Sequence, residues 1–394
     1  MTLFQDVGTD PRDQAARLSD LLVAYGAIGS LACGERADLG RRVATIAASF
    51  AAFLEFDDAL RAAVYYAAVL RSAGGLDNPA LRKGADLSER YARLLRGDIP
   101  AEGARACARI AALPPLCADL VRWQAEAWDG TGNPDRLRWD GIPIGAQVVH
   151  AAAVYAMASD PDDGIAQIAA RSGRVLAPEL VRSFTMWFHT TGGEPLVEEP
   201  PIERLDSSAT SAQSLLDFIA AHLDEHDGVP GRCVRIAAIA DKLAVRMKLA
   251  ESDRVALGVA ARLYAAGGVA EQVPENERFD PLVRLAIGPR AENARRAAAL
   301  LADIPSLRSA AGVVGARAEW YDGTGKPAGA AHQAIPLSAR ILAVAIACEE
   351  LGYHLALQLR ERRTTPLRRL ADAAGTQFDP EVVRVATACL ENGS

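Results

Sequence analysis

An all-α fold built from two similar halves is what this sequence predicts, and three observations lead there. Half of the residues are apolar while aromatics make up only 6%, a composition that favours closely packed Ala- and Leu-rich helices over sheets. Apolar residues recur three and four apart along much of the chain, the spacing of a helical face. One turn, Glu126-Ala127-Trp128-Asp129-Gly130-Thr131-Gly132-Asn133-Pro134, returns 193 residues later as Glu319-Trp320-Tyr321-Asp322-Gly323-Thr324-Gly325-Lys326-Pro327. Each copy leads through Ile142-Pro143 or Ile335-Pro336 into an apolar run that reads as a buried helix.

Taken in order, the first half opens with a helix around Asp13–Ala24. Val43, Ile46, Ala47, Phe50, Phe53 and Leu54 then mark one face of a helix within Ala37–Phe56. Asp57-Asp58 can cap the next helix, Ala59–Leu70, and Gly74-Gly75 stops it. A polar stretch, Leu76–Asp98, precedes an Ala-rich helix at Pro100–Ala112. After Pro114-Pro115 comes Leu116–Trp128, which delivers the first turn. Helices are expected at Ile144–Met157, 161–171 and 178–189. The composition of Gly192-Gly193 through Ser208, with its Pro and Glu residues, reads as a linker.

The second half repeats the plan. A helix over Leu215–Glu225 leads to Cys233–Met247, then to Arg254–Ala265 with Ser252-Asp253 as its cap. Gly267-Gly268 follows Gly74-Gly75 by the same 193 residues, so separate motifs hold one register and internal duplication is inferred. Near the end the register slips, Pro380 answering Pro178 at 202, and the extra residues are assigned to the segment around 360–366. The expected domains are residues 1–192 and 209–394, joined by the linker 193–208.

Lys+Arg 43 against Asp+Glu 50 gives a net charge of −7, which argues against direct nucleic-acid binding by bulk electrostatics. Arg360–Arg363 with Arg368-Arg369 is the densest basic run, and a solvated helix face accounts for it. The cysteines at 33, 107, 117, 233, 348 and 389 form no CxxC pair and mostly sit within Ala-rich helical stretches, as small buried thiols would. No signal peptide opens the sequence and no apolar run is long enough to span a membrane, so a soluble cytoplasmic protein is expected.

The ordered pattern of helix end, Asp-Gly turn, Ile335-Pro336-Leu337 with the apolar run Ala339–Ala347, and Gly375-Thr376-Gln377-Phe378-Asp379-Pro380 resembles the HD-GYP family of HD-domain phosphohydrolases. The resemblance is stronger over 205–394 than over 35–190. It implies an all-helical domain in which His and Asp side chains hold iron or manganese ions that activate water to hydrolyse c-di-GMP. Carried over residue by residue, the family's ligands are absent. The His-Asp pair falls on Arg71-Ser72 and on Tyr264-Ala265. The two histidines before the turn's Glu fall on Gln124-Ala125 and Arg317-Ala318, leaving Glu126 and Glu319. The later Asp falls on Ala153 and Ile346, and the early helix His lands near Leu39 and near Arg232. An arginine in a ligand's place repels a cation. The resemblance therefore implies a tandem pseudo-phosphodiesterase with no catalytic residue, no metal and no cofactor.

Val64–Arg71 and Val148-Val149-His150 also look like the input regions of actinobacterial LuxR-type transcription regulators, without the DNA-binding module. Arg71, Gln124, Glu126 and Trp128 in the first half, and Tyr264, Arg317, Glu319 and Tyr321 in the second, are the candidate lining of the vacated sites. The alternative is that Arg71–Glu126 and Arg317–Glu319 fill them as ion pairs. In the turns, Asp129, Gly130, Gly132 and Pro134, like Asp322, Gly323, Gly325 and Pro327, set backbone geometry through Asx-type bonds. His222 and His226 match an H-x-x-E-H pattern, for which a solvated helix end is the simpler account. His150 reads as a core histidine, His189 as a helix cap, and His332 and His354 lack a partner at ligand spacing. The expected function is a non-catalytic signalling module that senses a small molecule or binds a protein partner or second copy. A cyclic dinucleotide is suggested by the resemblance alone. The alternative is a residual metal-dependent phosphohydrolase.

Overall fold

The structure is a computed structural model and describes residues 11–76, 98–194, 200–270, 289–357 and 366–391. The expected polar segment beyond Leu76, the run Arg360–Arg363 and the inserted residues near 360 lie outside these, as does the side chain of His354. The described residues are helical, with isolated bridges at Ser172–Leu176 and Ala374–Phe378. Chain contacts divide into two compact units, Asp6–Leu215 and Leu216–Ser394. Among the described residues no helix is long and apolar enough to cross a membrane.

The first unit begins with α1 (Pro11–Ala32), which runs further than its sequence pattern suggests. Next come α2 (Leu39–Phe53) and α3 (Asp58–Val69). The Asp57 carboxylate accepts from the Leu60 N–H at 2.8 Å, satisfying one of the unpaired donors at the start of α3. Helix α4 (Asp98–Ala108) packs on α5 (Cys117–Trp123), which is shorter than expected because the chain turns at Gln124 to present Glu126 to the loop. The apolar run gives α6 (Ile144–Met157), followed by α7 (Pro161–Ala169) and α8 (Pro178–Thr191), which Gly192 closes with φ of 69°.

The α2 face read from sequence is the one that packs: Val43, Ile46, Ala47 and Phe50 are buried, and Phe53 and Leu54 are half-buried at its end. Phe50 meets Phe184 edge to face at 4.8 Å between centroids, and the Trp187 indole donates to Ser49 Oγ at 3.1 Å. Each of these aromatic side chains contributes about 2–3 kcal/mol by burial, so Trp187→Ala would damage this core most. In the stretch read as a linker, the 3₁₀ turn Ile202–Arg204 lies against α1. There Arg204 pairs with Asp58 at 2.8 Å, Leu205 is buried, and the Asp206 N–H donates to Ala112 O at 2.9 Å.

Helix α9 (Ala212–Asp227) leads into the second unit, followed by α10 (Arg232–Arg246) and α11 (Glu251–Leu263). Ser252-Asp253 is not the cap of α11: Ala250 holds that position without a side-chain bond, and both residues lie in the first turn. The first-turn carboxylates Glu251 and Asp253 favour the helix start through its dipole instead. Helices α12 (Pro289–Ala302) and α13 (Arg308–Ala316) pack together, and α13 delivers the second turn. The unit ends with α14 (Leu337–Leu357), α15 (Pro366–Asp372) and α16 (Pro380–Glu391).

Candidate functional site

Both Asp-Gly turns close on a buried glutamate. In the first, Glu126 is 1% exposed and its two carboxylate oxygens accept the N–H groups of Asp135 at 2.6 Å and Leu137 at 3.0 Å. In the second, Glu319 does the same for Ala328 at 2.6 Å and Ala330 at 3.2 Å. Asp129 Oδ1 accepts from both the N–H and the hydroxyl of Thr131, at 2.9 and 2.6 Å. Asp322 repeats this with Thr324 at 2.9 and 2.7 Å. These are the expected Asx-type bonds. The Thr hydroxyl bonds hold both exposed carboxyls below the usual range. Gly130 and Gly323 adopt φ of 81° and 84°, in the left-handed region. A Cβ on Gly132 or Gly325 would stand 2.1 or 2.0 Å from a backbone nitrogen, so only glycine lets the loop fold back this tightly. Pro134 and Pro327 both follow cis peptide bonds.

The glutamates are therefore spent on their loops, and the expected Arg71–Glu126 and Arg317–Glu319 pairs are not made. Arg71 instead donates to both oxygens of Glu35, at 3.0 and 2.9 Å, with side chains only 7% and 9% exposed. Ser72 Oγ joins the pair, lying 3.1 Å from Arg71 Nη1 and donating to Glu35 at 2.9 Å. Gln124 Nε2 donates to the Arg71 carbonyl at 2.9 Å, so these two predicted residues do meet. His150 stands beside them, half-buried, with Nδ1 unpartnered among the described residues. Burial and the charges of Arg171 and Arg71 push its pKa down to about 4, so the ring is neutral. The Trp128 backbone N–H donates to Val175 O at 3.0 Å.

In the second unit, Arg317 and Arg232 converge on Tyr264. The guanidiniums of Arg317 and Arg232 lie 5.3 and 5.6 Å from its ring centroid, and Arg317 Nη2 donates to its carbonyl at 3.4 Å. Burial raises the Tyr264 phenol pKa, so it stays protonated. Arg232 pairs with Asp227 at 2.5 Å and approaches Asp224 at 3.6 Å. Asp224 Oδ2 accepts the Cys233 N–H at 2.9 Å, and burial raises its pKa. His222, Asp224 and His226 are all buried, which overturns the reading of H-x-x-E-H as a solvated helix end. Burial of this kind is not revealed by one helix read alone. Glu319 and Tyr321 line a space of about 10 Å³ with Arg340 and Asp379, room for no more than a water. His332 is exposed and stacks edge-on against Tyr321 at 4.8 Å; His189 is exposed in the last turn of α8.

A larger space of about 220 Å³ lies in the first unit, lined by Arg42, Thr45, Ile46, Tyr155, Pro161 and Gly193. None of the predicted site residues borders it. Its residues come from separate helices and form no motif, so no local pattern could have pointed to it.

The residues onto which the HD-GYP resemblance carries an iron or manganese centre are poor ligands for a cation. Those positions carry guanidiniums, a protonated phenol and an amide. Nearby carboxylates are committed to Arg71, to Arg232 and to the Cys233 N–H. Among the described residues no three His, Cys, Asp or Glu side chains are grouped to hold a metal ion.

The described residues form an all-α fold, and the HD domain family model matches residues 219–382. The chain is also similar to the 3'3'-cGAMP-specific phosphodiesterase 3 of Vibrio cholerae serotype O1. The two are 24% identical over 283 residues, which is 65% of this chain and 59% of that protein. A crystal structure of a cyclic GMP-AMP specific phosphodiesterase in V. cholerae, V-cGAP3, superposes with a TM-score of 0.62 at 18% identity. It covers 95% of this chain and 97% of that one, a likeness of fold.

Proposed function

We propose that the chain is a tandem HD-GYP-like module, arisen by duplication, that has lost hydrolysis and serves regulation. It senses a small molecule or binds a protein partner, as the input region of a transcription regulator. Duplication is supported by the repeated turn, in which corresponding carboxylates, threonines and glycines make matching bonds. The observation that carries the loss of hydrolysis is the pair of guanidiniums meeting over Tyr264, where a hydrolase would concentrate negative ligands around cations. The buried Arg71–Glu35–Ser72 cluster supports the same reading for the first half: its charge is balanced without a metal.

Because the Vibrio relative is named for 3'3'-cGAMP, that dinucleotide and c-di-GMP are the first ligands to test. Each is incubated with the protein and excess manganese or iron(II), and the linear products are followed by chromatography. In parallel, metal-free protein is titrated by calorimetry. The proposal predicts no turnover above a protein-free control; heat of binding without metal would name the ligand class. Metal-dependent turnover abolished by a chelator would contradict it and favour a residual phosphohydrolase, for which the buried His222, Asp224 and His226 would be the first ligands to examine.

A further inference from the structure

The cysteines divide by environment, which their sequence contexts do not show. Cys33, Cys107, Cys117 and Cys233 are buried, as is expected of most of the six, whereas Cys348 and Cys389 are partly exposed. Cys107 and Cys117 share a hydrogen bond, and that bond together with complete burial pushes the Cys117 pKa well above the ordinary range. That pair is shielded from solutes and inert. Cys348 on α14 and Cys389 on α16 differ. Their helices pack together, and α10 packs on both. From α10, Arg246 Nη1 reaches to 2.6 Å from Cys389 Sγ.

We propose that Cys389 and Cys348 form an oxidation site that a hydroperoxide converts to a disulfide linking α14 and α16. The roles follow from the surroundings. Sulfur attacks as the thiolate, and the Arg246 guanidinium supplies a counter-charge at Cys389. Cys348 is pushed up to about 12 by burial, with the charge of Cys389 adding to it, so it keeps its proton and acts second. The Cys389 thiolate attacks the terminal peroxide oxygen; the S–O bond forms, the O–O bond breaks, and the alkoxide or hydroxide leaves with a proton. The Cys348 sulfur then attacks the sulfenic sulfur, and the displaced hydroxyl departs as water with the Cys348 proton. Two thiols and one peroxide yield one disulfide, water and an alcohol or a second water. The arrangement is independent of the ligand chemistry proposed above.

The test exposes the full-length protein to stoichiometric hydrogen peroxide, blocks remaining thiols by alkylation, and maps non-reduced peptides by mass spectrometry. The expected product is a Cys348–Cys389 cross-linked peptide lighter by two hydrogens, reversed by dithiothreitol, with Cys107 and Cys117 still alkylated after denaturation. Cys348→Ser should accumulate the Cys389 sulfenic acid, trapped by dimedone, and Cys389→Ser should leave Cys348 reduced. Arg246→Met should slow bridging by about tenfold through loss of the counter-charge, with the helical circular dichroism of each variant unchanged. Both thiols recovered free, Cys389 driven to sulfinic acid without a bridge, or an Arg246→Met rate equal to wild type would each overturn the proposal.

Discussion

The two units carry nearly the same turn around nearly unrelated centres. In both turns a buried glutamate takes two backbone N–H groups, an aspartate takes the threonine two residues on, and glycines stand where a Cβ cannot fit. At the centres, one unit encloses the Arg71–Glu35 pair and the other stacks Arg232 and Arg317 on Tyr264. A third place lies between these extremes. Gln147 fastens the start of α8 by accepting the Ala177 N–H at 2.9 Å. The second unit does the equivalent work through Arg340 and Asp379, which pair directly while Asp379 Oδ1 accepts the Glu381 N–H at 2.8 Å. Backbone requirements admit few residue types, so the turn stays the same. Filling a polar centre admits many charge-balanced solutions, so the centres differ.

The largest effect that would sharpen this contrast is at the first centre. Arg71→Ala leaves Glu35 charged and buried and should cost about 3–5 kcal/mol, while the paired change to apolar residues should recover most of that. Arg317→Ala leaves no buried carboxylate unpaired at Glu319, which is held by its own loop. The contacts with Tyr264 that it takes away, a cation–π approach and a hydrogen bond to the carbonyl, account for about 0.5–2 kcal/mol. Hydrogen-exchange mass spectrometry, read separately on peptides of each unit, measures both; equal losses would break the comparison.

Next in size are Glu126→Ala and Glu319→Ala. Each strands two N–H groups in its loop and should cost about 1–3 kcal/mol by the same measurement. The two values should agree closely; a large difference would show that the turns, despite matching bonds, are not doing the same work.

A smaller effect is pH-dependent and confined to the first unit. The His150 ring has its pKa lowered from 6.5 to about 4, chiefly by burial, so the unfolded chain binds a proton that the folded chain refuses. The stability it contributes is fully present above pH 6.5 and falls away as the pH drops towards 4. His150→Gln should flatten this decline in thermal melts taken across the interval; an unchanged slope would remove His150 from the account. The smallest changes are expected for Asp129→Ala and Asp322→Ala, on exposed carboxylates. Each should lower the melting temperature slightly and equally, and the loss should vanish in acid as the wild-type carboxylates take up protons.

Periodicity made the helices legible. Ile144–Met157 coincides with α6, and the α2 core face was readable from its spacing, because burial on one side of a helix leaves a local trace. The caps were less legible: Asp57 caps α3 as its composition suggests, whereas Ser252-Asp253 slips into the first turn of α11. At the site, Arg71 and Gln124 meet, as do Arg317 and Tyr264, within the groups named as candidate lining. The ion-pair partners were misassigned, because Glu35 lies far from Arg71 in sequence and nothing local marks it. The burial of His222 and His226 was hidden as well, and the same limit hid the cavity near Tyr155 and the approach of Arg246 to Cys389, which arise where separate helices meet.

The central claim is that arginine-centred packing stands in place of a metal centre. Its most direct test is elemental analysis of protein purified without chelator from cells grown with added iron and manganese. The account predicts only trace, sub-stoichiometric metal, unchanged in Arg317→Ala. Near-stoichiometric iron, manganese or zinc that stays bound through gel filtration would contradict it.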